Sequence, residues 1–258
     1  MRPAGRLLWG AIGLAAVWCA WAWGAHALGP FVLPRPADAA TRLVELFASG
    51  EAFGALASTA TQALAGWIIA CCVGFALALV AAFAAPVEMA LRPIATVLLG
   101  VPPVAWLVLA LLWLGPAGAA PAFTTAVANF PVVFVAALQG LAARDPDLDE
   151  MAESFRASPR QRFTDILFPQ VLDHLLPAMA TALGFSWKVC VMAEVMSSGT
   201  GIGARLATAR AHLDLPETMA WIMLVMALVL VCDLMLVAPL RAWLGRLRGA
   251  DRTAPAHA

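Results

Sequence analysis

Six long apolar stretches constrain this chain more than any other feature of its sequence. Each has about 20 or more mostly apolar residues, the length that an α-helix needs to cross the hydrocarbon core of a bilayer. They lie at about 7–29, 58–85, 94–115, 121–141, 176–197 and 219–241. Only 12% of the 258 residues are charged, about half the share in a soluble domain, so membrane lipid must solvate the outer surface. The sequence therefore predicts an all-α polytopic membrane protein, a single transmembrane domain with six helices.

The first stretch fits two kinds of segment. Arg2 and Arg6 precede it, and the tripeptide AHA (25–27) resembles a cleavage site, as in a secretory signal peptide. Its apolar run is longer than the roughly 7–15 apolar residues of a signal peptide, so we expect a retained first span. The five cysteines all fall within apolar runs. There they act as small hydrophobic residues and predict neither disulfides nor a metal site.

The distribution of arginine predicts the orientation of the chain. With a cytoplasmic N-terminus, eleven arginines fall in inner segments and four in outer segments, which agrees with the positive-inside rule. Both termini are therefore expected in the cytoplasm, as is the loop at 142–175. On the outer side we expect an amphipathic helix at 36–49. The segment GTGIGAR (199–205) predicts an outer turn and a short helix, because its context does not suit a phosphate-binding loop.

The loop at 142–175 contains a charged segment with the features of two short helices. Asp145 and Pro146 are an N-cap and a proline at the first helical position. Ser158 and Gln161 are spaced as a capping box for the second helix, and Pro169 is expected to end it. Each helix has an apolar face, formed by Leu148, Met151 and Phe155 in the first and by Phe163, Ile166 and Leu167 in the second. Such a helix–turn–helix suits either a loop on the membrane surface or a docking site for a partner.

This segment resembles the signature loop of binding-protein-dependent ABC importer permeases: E-A-A, three residues, glycine, nine residues and I-x-L-P. The positions that match in register are Glu150, Ala152, Ile166 and Pro169. The positions that differ are Met151, Arg156 and Phe168, in place of alanine, glycine and leucine. Other segments resemble the nitrate/taurine/sulfonate branch of this family, at 43–53, 100–115, 130–141, 186–196 and 197–214.

The resemblance implies the type I ABC importer permease fold in a bacterial inner membrane. It also implies cytoplasmic ATPase subunits, a periplasmic or lipid-anchored substrate-binding protein, and a second permease copy, expected to be identical. The loop at 145–169 would couple the spans to the ATPase. The residues expected to serve this coupling are Glu150, Ala152, Phe155, Arg156, Ser158, Ile166 and Pro169. At the turn, a left-handed backbone that suits glycine would cost arginine roughly 1 kcal/mol or more.

A few residues within the predicted spans are candidates for the substrate pathway. The polar ones are Asn129, Lys188, Glu194 and Asp233, and the candidate kinks are Pro102, Pro103 and Pro131. Lys188 is the only lysine, and a charge at mid-helix costs about 2.5–3.5 kcal/mol on insertion scales. It therefore pairs with Asp233 of the sixth span, contacts an anionic substrate, or has another partner such as Glu194 of the partner subunit.

Two other function classes have less support in the residues. An intramembrane enzyme needs a nucleophile and a base at membrane depth, but there is no G-x-S-x-G motif, and His174 and His212 fall outside the spans. A self-sufficient secondary transporter predicts an internal repeat with several intramembrane carboxylates, and no convincing repeat is present. A P-loop is absent, so ATP hydrolysis is expected on another polypeptide. We expect no cofactor, and the zero net charge argues against nucleic acid as a partner.

Overall fold

A computed structural model describes residues 3–29, 31–116, 118–197, 199–237 and 239 of the chain. Within these residues the fold contains helices and no strands, which confirms the predicted all-α class. The helices are α1 (Pro3–Leu28), α2 (Pro36–Ala48), α3 (Glu51–Phe83), α4 (Ala85–Gly100), α5 (Pro103–Leu114), α6 (Ala120–Ala142), α7 (Pro146–Ser154), α8 (Pro159–Gln161), α9 (Phe168–Met196), α10 (Ile202–Ala211) and α11 (Leu215–Cys232). Two π-helical segments lie at Arg162–Leu167 and Asp233–Val237.

Within the described residues, four helical stretches are long and apolar enough to cross a membrane. They are Glu51–Phe83, Ala120–Ala142, Pro159–Met196 and Leu215–Met235, and α4 with α5 adds a fifth if this bent pair is one broken span. The predicted first span, 7–29, lies in α1, which is not among the four. The chain is thus a multi-pass helical protein, while the number of six spans is not confirmed. The orientation also stays a prediction, because the arginines after residue 240 lie outside the described residues.

The predicted third span, 94–115, is not one straight helix. The chain turns by 99° between α4 and α5, across Val101 and Pro102, whose backbones are extended with ψ of 123° and 139°. Each of these residues precedes a proline, whose ring disfavours the α conformation in the residue before it. Pro103 begins α5, where its missing N–H costs nothing. By contrast, α6 continues through Pro131 without a break.

The prediction that Pro169 ends the second loop helix is wrong. The helix continues from Pro159 to Met196, so the second loop helix and the fifth span are one element. In a regular α-helix, the Pro169 ring would clash with the carbonyl group of the residue four positions earlier. A π-helical turn precedes it, in which the Phe168 N–H donates to the Phe163 carbonyl oxygen. This wider turn accommodates the proline, so the helix does not stop.

The centre of the fold is the packing of α3 against α6 and α9. α3 contributes a row of small buried residues at helical spacing, namely Ala63, Gly66, Ala70, Gly74, Ala78 and Ala81. A Cβ atom added at Gly66 would lie 2.6 Å from Thr125 Cβ, and one added at Gly74 would lie 3.1 Å from Phe134 N. Small residues let helix backbones approach closely in lipid, where van der Waals packing drives their association.

The two ends of α3 lie beside different parts of the chain. At its start, Thr59 accepts a hydrogen bond from the first residue of α10, and α2 and α11 pack nearby around Leu46, Ile202 and Trp221. At its end, Phe83 and Arg162 line one groove. A helix of 33 residues is about 50 Å long. The helix predicted at 36–49, which is α2, therefore lies at the opposite end of α3 from the loop at 145–169.

Candidate coupling loop and pathway residues

Both helices of the loop begin with the caps that the sequence predicts. The Asp145 side chain accepts a hydrogen bond from the Asp147 N–H at 3.0 Å, and Pro146 follows the cap. Ser158 and Gln161 form a reciprocal capping box: Ser158 Oγ accepts from the Gln161 N–H at 3.3 Å, and Gln161 Oε1 accepts from the Ser158 N–H at 2.9 Å. These bonds satisfy N–H groups that have no partner within their helices, so the loop has a defined shape.

The turn between the two helices is a Schellman motif with Arg156 at its left-handed position. The Ala157 N–H donates to the Ala152 carbonyl oxygen at 2.9 Å, and the Arg156 N–H donates to the Glu153 carbonyl oxygen at 2.9 Å. Arg156 has a φ of 49°, a conformation that glycine adopts readily and arginine adopts at a cost. The turn thus has the shape that suits the glycine of the resembled signature, although an arginine occupies it.

The residues expected to couple to an ATPase differ in exposure. Ala152 is buried and Ile166 is half-buried, so these two pack within the chain. The exposed ones are Glu150, Phe155, Arg156, Ser158 and Pro169. Phe155 is 82% exposed at the end of α7. An aromatic ring presented on a fixed turn is suited to anchor a partner, because such side chains often dominate the energy of an interface.

A cavity of about 280 Å³ lies at the break between α4 and α5, with its other walls on α6 and α9. Asn129, in one wall, is fully buried. Its Nδ2 donates to the Thr125 carbonyl oxygen and to Ser186 Oγ, whereas Oδ1 has no partner among the described residues. The Ser186 hydroxyl donates to the Ala182 carbonyl oxygen, so it accepts from Asn129, which fixes the orientation of the amide. The cavity wall therefore holds an unused hydrogen-bond acceptor.

Lys188 and Asp233 do not form the ion pair that was one expectation for them. Both side chains are exposed in the single chain, and no ion pair of 4.0 Å or less joins them in the part of the chain that the structure describes. The carboxylate of Glu194 is not available to Lys188 either, because it is buried and bonded elsewhere. Among the described residues, Lys188 therefore has no acidic partner.

The family of the protein follows from a comparison with known families. Residues 70–247, well over half of the chain, match the binding-protein-dependent transport system inner membrane component. The chain belongs to this family. The matched region includes the loop, the cavity, α6, α9 and the second part of α3. A permease of this family is a membrane component and not an enzyme, and ATP hydrolysis belongs to a separate ATPase subunit.

Several relatives of this permease are named for the transport of aliphatic sulfonates, nitrate or taurine. It is 29% identical to the aliphatic sulfonates transport permease protein SsuC of Escherichia coli over 90% of this chain and 88% of that protein. SsuC of Bacillus subtilis is 29% identical, over 69% of this chain and 65% of the relative, just under two thirds of its length. The nitrate import permease protein NrtB of Leptolyngbya laminosa is 29% identical, over 58% of this chain and 54% of that protein. These matches confirm the branch that the sequence segments resemble.

A solved structure has the same fold as this permease. It is described as the crystal structure of an amino acid ABC transporter with histidines, and it superposes with a TM-score of 0.63. The comparison covers 79% of this chain and 97% of that one, at 18% identity. At this identity the likeness shows the fold alone. It supports an ABC permease architecture without identifying a substrate.

Glu194 of this permease lies in a hydrogen-bond cluster that the sequence reasoning missed. Its Oε2 accepts from Thr59 Oγ1 at 2.9 Å and from the Gly203 N–H at 3.0 Å, and Thr59 Oγ1 accepts from the Ile202 N–H at 2.9 Å. The cluster joins α3 and α9 to the start of α10. A Cβ atom at Gly201 would overlap the Glu194 carboxylate. The sequence signal for this cluster was Gly201 and Gly203 in GTGIGAR, because glycines leave room for an acidic side chain from another segment.

Proposed function

We propose that this chain is the permease subunit of an ABC importer in a bacterial inner membrane. It forms the substrate pathway together with a second copy of itself, and the loop at 145–169 couples it to a separate ATPase. A binding protein delivers the substrate, which belongs to the sulfonate, nitrate or taurine class. The names of the relatives support this substrate class, and membership of the family supports the ATPase and the binding protein as partners.

The observation that carries the coupling role is the exposed Phe155 on a turn of defined shape. The ring is 82% exposed, and the caps at Asp145 and Ser158 hold the helices on both sides of it. A flexible loop would lose conformational entropy on docking, whereas a loop that is already ordered loses less. The geometry therefore suits transmission of movement from a partner to α9, since the second loop helix is continuous with that span.

The test is co-purification of the ATPase with Phe155→Ser, compared with the unmodified permease in its native membrane. We expect at least a tenfold loss of ATPase affinity, about 1.4 kcal/mol, with normal amounts of permease. Phe31→Ser is the matched control, because Phe31 is 94% exposed and lies at the end of the fold that carries α2. Equal retention of the ATPase by both variants would contradict the coupling role of the loop.

The other function classes are not retained. An intramembrane enzyme or a self-sufficient secondary transporter does not agree with membership of a family whose components work with a binding protein. Purification of the unmodified permease distinguishes these classes directly. An importer subunit is expected to elute with an ATPase, and the binding protein encoded for the same transporter would then identify the substrate.

A further inference from the structure

One face of α9 is left uncovered by the part of the chain that the structure describes. Thr181, Phe185 and Lys188 follow one another at spacings of four and three residues, so they share a face of the helix. All three are exposed, whereas the adjacent residues Ser186 and Val189 are buried. This face belongs to the 38-residue helical stretch Pro159–Met196, so something other than the described residues must cover it.

The cavity at the break between α4 and α5 opens on the same face. Thr181 and Phe185 line that cavity, and Lys188 lies one helical turn further along, about 5 Å away in the axial direction. A second wall comes from Leu98, Val101 and Pro103 around the broken helix, and α6 provides the third. In membrane proteins, broken helices of this kind are tolerated where they line a cavity rather than face lipid. The exposed face of α9 thus continues from the cavity to the lysine.

Lipid is a poor environment for this face because of Lys188. The residue lies eight positions before Met196, where the helix ends, so it is about 12 Å along the axis from that end. A lysine side chain extends only about 6 Å, which is too short to bring the ammonium group to the helix end by snorkelling. Charged groups at such depth almost always face a water-filled cavity or another protein group.

We propose that Lys188 is a specificity-determining residue of the pathway, where its ammonium group binds the anionic group of the passing substrate beside the cavity. The permease itself, and not only the binding protein, would then select substrates by charge. The proposal rests on the proposed importer function and deepens it. In a structural role Lys188 would have a permanent partner within the protein, whereas in this role its partner is a substrate that binds and leaves.

The chemistry of the site suits an anion that must enter and leave. An ammonium group donates three hydrogen bonds and suits the oxygen atoms of a sulfonate or a nitrate ion. One charged donor per subunit, beside the apolar ring of Phe185, provides attraction without enclosing the ion. Transport requires such a balance, because a site that binds too tightly would retain its substrate.

Selective chemical labelling tests this proposal, because Lys188 is the only lysine of the chain. The assembled transporter is treated with an amine-reactive reagent, and modification of the peptide that contains Lys188 is followed by mass spectrometry. We expect Lys188 to react and sodium ethanesulfonate or sodium nitrate to slow its modification at least fivefold in a saturable manner. The neutral compound ethyl methyl sulfone is the control and should not slow it. A lysine that does not react, or that neither ethanesulfonate nor nitrate protects, would overturn the proposal.

Uptake by proteoliposomes that contain the permease, its ATPase and its binding protein provides the second readout. Lys188→Met should lower anion uptake at least tenfold, and Lys188→Arg should retain more than half of the uptake of the unmodified permease. Arg92→Met is the matched control, because it removes one positive charge from an exposed site on α4 and should leave uptake near normal. Loss of assembly or of thermal stability in Lys188→Met would instead show a structural pair and refute the proposal. If the proposed importer function itself is wrong, the unmodified permease will not bind an ATPase. That result can be told apart from a failure of the Lys188 proposal alone.

Discussion

The Glu194 carboxylate accepts a hydrogen bond from the Gly203 N–H at 3.0 Å, so a side chain of α9 caps the first turn of α10. The cap residue of α10 itself, Gly201, has no side chain that could do so. A carboxylate at a helix N-terminus is favoured both by the free N–H groups and by the helix dipole. The Thr59 hydroxyl completes the arrangement by donating to the same carboxylate. The short helix is therefore fixed to two spans through one buried acidic residue.

This arrangement predicts that Gly203→Ala destabilises the permease. A Cβ atom at Gly203 would overlap the Val191 carbonyl oxygen and lie 2.7 Å from Glu194 Cβ, so α10 would have to move away from α9. Overpacking of this kind costs about 1–3 kcal/mol. The free energy of unfolding in mixed micelles would measure it. Gly199→Ala is the matched control, because its Cβ would contact only Ser197 Oγ, at 3.6 Å. Equal stability of the two variants would contradict a close contact between these helices.

Arg156→Gly is expected to stabilise the loop and to preserve transport. Arginine at a φ of 49° costs about 1–2 kcal/mol, and glycine removes this strain. Glycine also increases the conformational entropy of the unfolded chain, which cancels part of the gain in stability. The expected net gain is about 0.5–1 kcal/mol in the free energy of unfolding. Arg160→Gly, in α8, should have the opposite sign because its backbone is helical. Loss of ATP turnover in Arg156→Gly would indicate that the guanidinium group makes a contact of its own with the ATPase.

The local structure of the loop could be predicted from its sequence because short-range chemistry determines it. The caps at Asp145 and Ser158 depend on side chains that bond backbone groups two or three residues away. The end of the second helix could not be predicted in this way. Pro169 usually indicates a helix end, but the π-helical turn before it accommodates the ring, and packing of α9 against α6 supports the continuous helix.

The contacts of the intramembrane polar residues could not be predicted, because they depend on packing between distant segments. Glu194 and Thr59 are 135 positions apart in the chain and are hydrogen-bonded. Lys188 and Asp233 have suitable depths on their helices but are not joined, because a similar depth does not fix which face a side chain occupies. The proline pair at Pro102 and Pro103 indicated a kink but not its size, since a bend of 99° depends on how α5 packs against α6.

Glu150→Lys is expected to abolish substrate-driven ATP turnover. Glu150 is exposed on α7, one turn before Phe155, and its charge would either contact the ATPase or order the loop. The permease should remain in the membrane at its normal level, because an exposed surface position contributes little to stability. Glu45→Lys is the control at the other end of the fold, where a surface ion pair with Arg42 is lost. Normal transport by Glu150→Lys would contradict the coupling role of this residue.

The close packing of α3 against α6 at Gly66 predicts that Gly66→Ala is more harmful than its size suggests. A single added methyl group would lie 2.6 Å from Thr125 Cβ and 2.9 Å from Thr125 Cγ2. The backbone fixes the position of the Cβ atom, and the Cγ2 atom can move aside only through a change of rotamer. The Thr125 hydroxyl also donates to the Pro121 carbonyl oxygen, which fixes that rotamer. The two helices must therefore separate, and the loss of packing should lower the free energy of unfolding by about 2–3 kcal/mol.

Gly54→Ala on the same helix is the matched control for Gly66→Ala. A Cβ atom at Gly54 would meet nothing within 4 Å, so only helix propensity changes, and alanine should gain about 0.5–1 kcal/mol. The two substitutions are chemically identical, which means that propensity alone predicts the same sign for both. Opposite signs in an unfolding titration would therefore isolate the contact between α3 and α6. If both variants were stabilised, these helices would not pack as closely as their small residues imply.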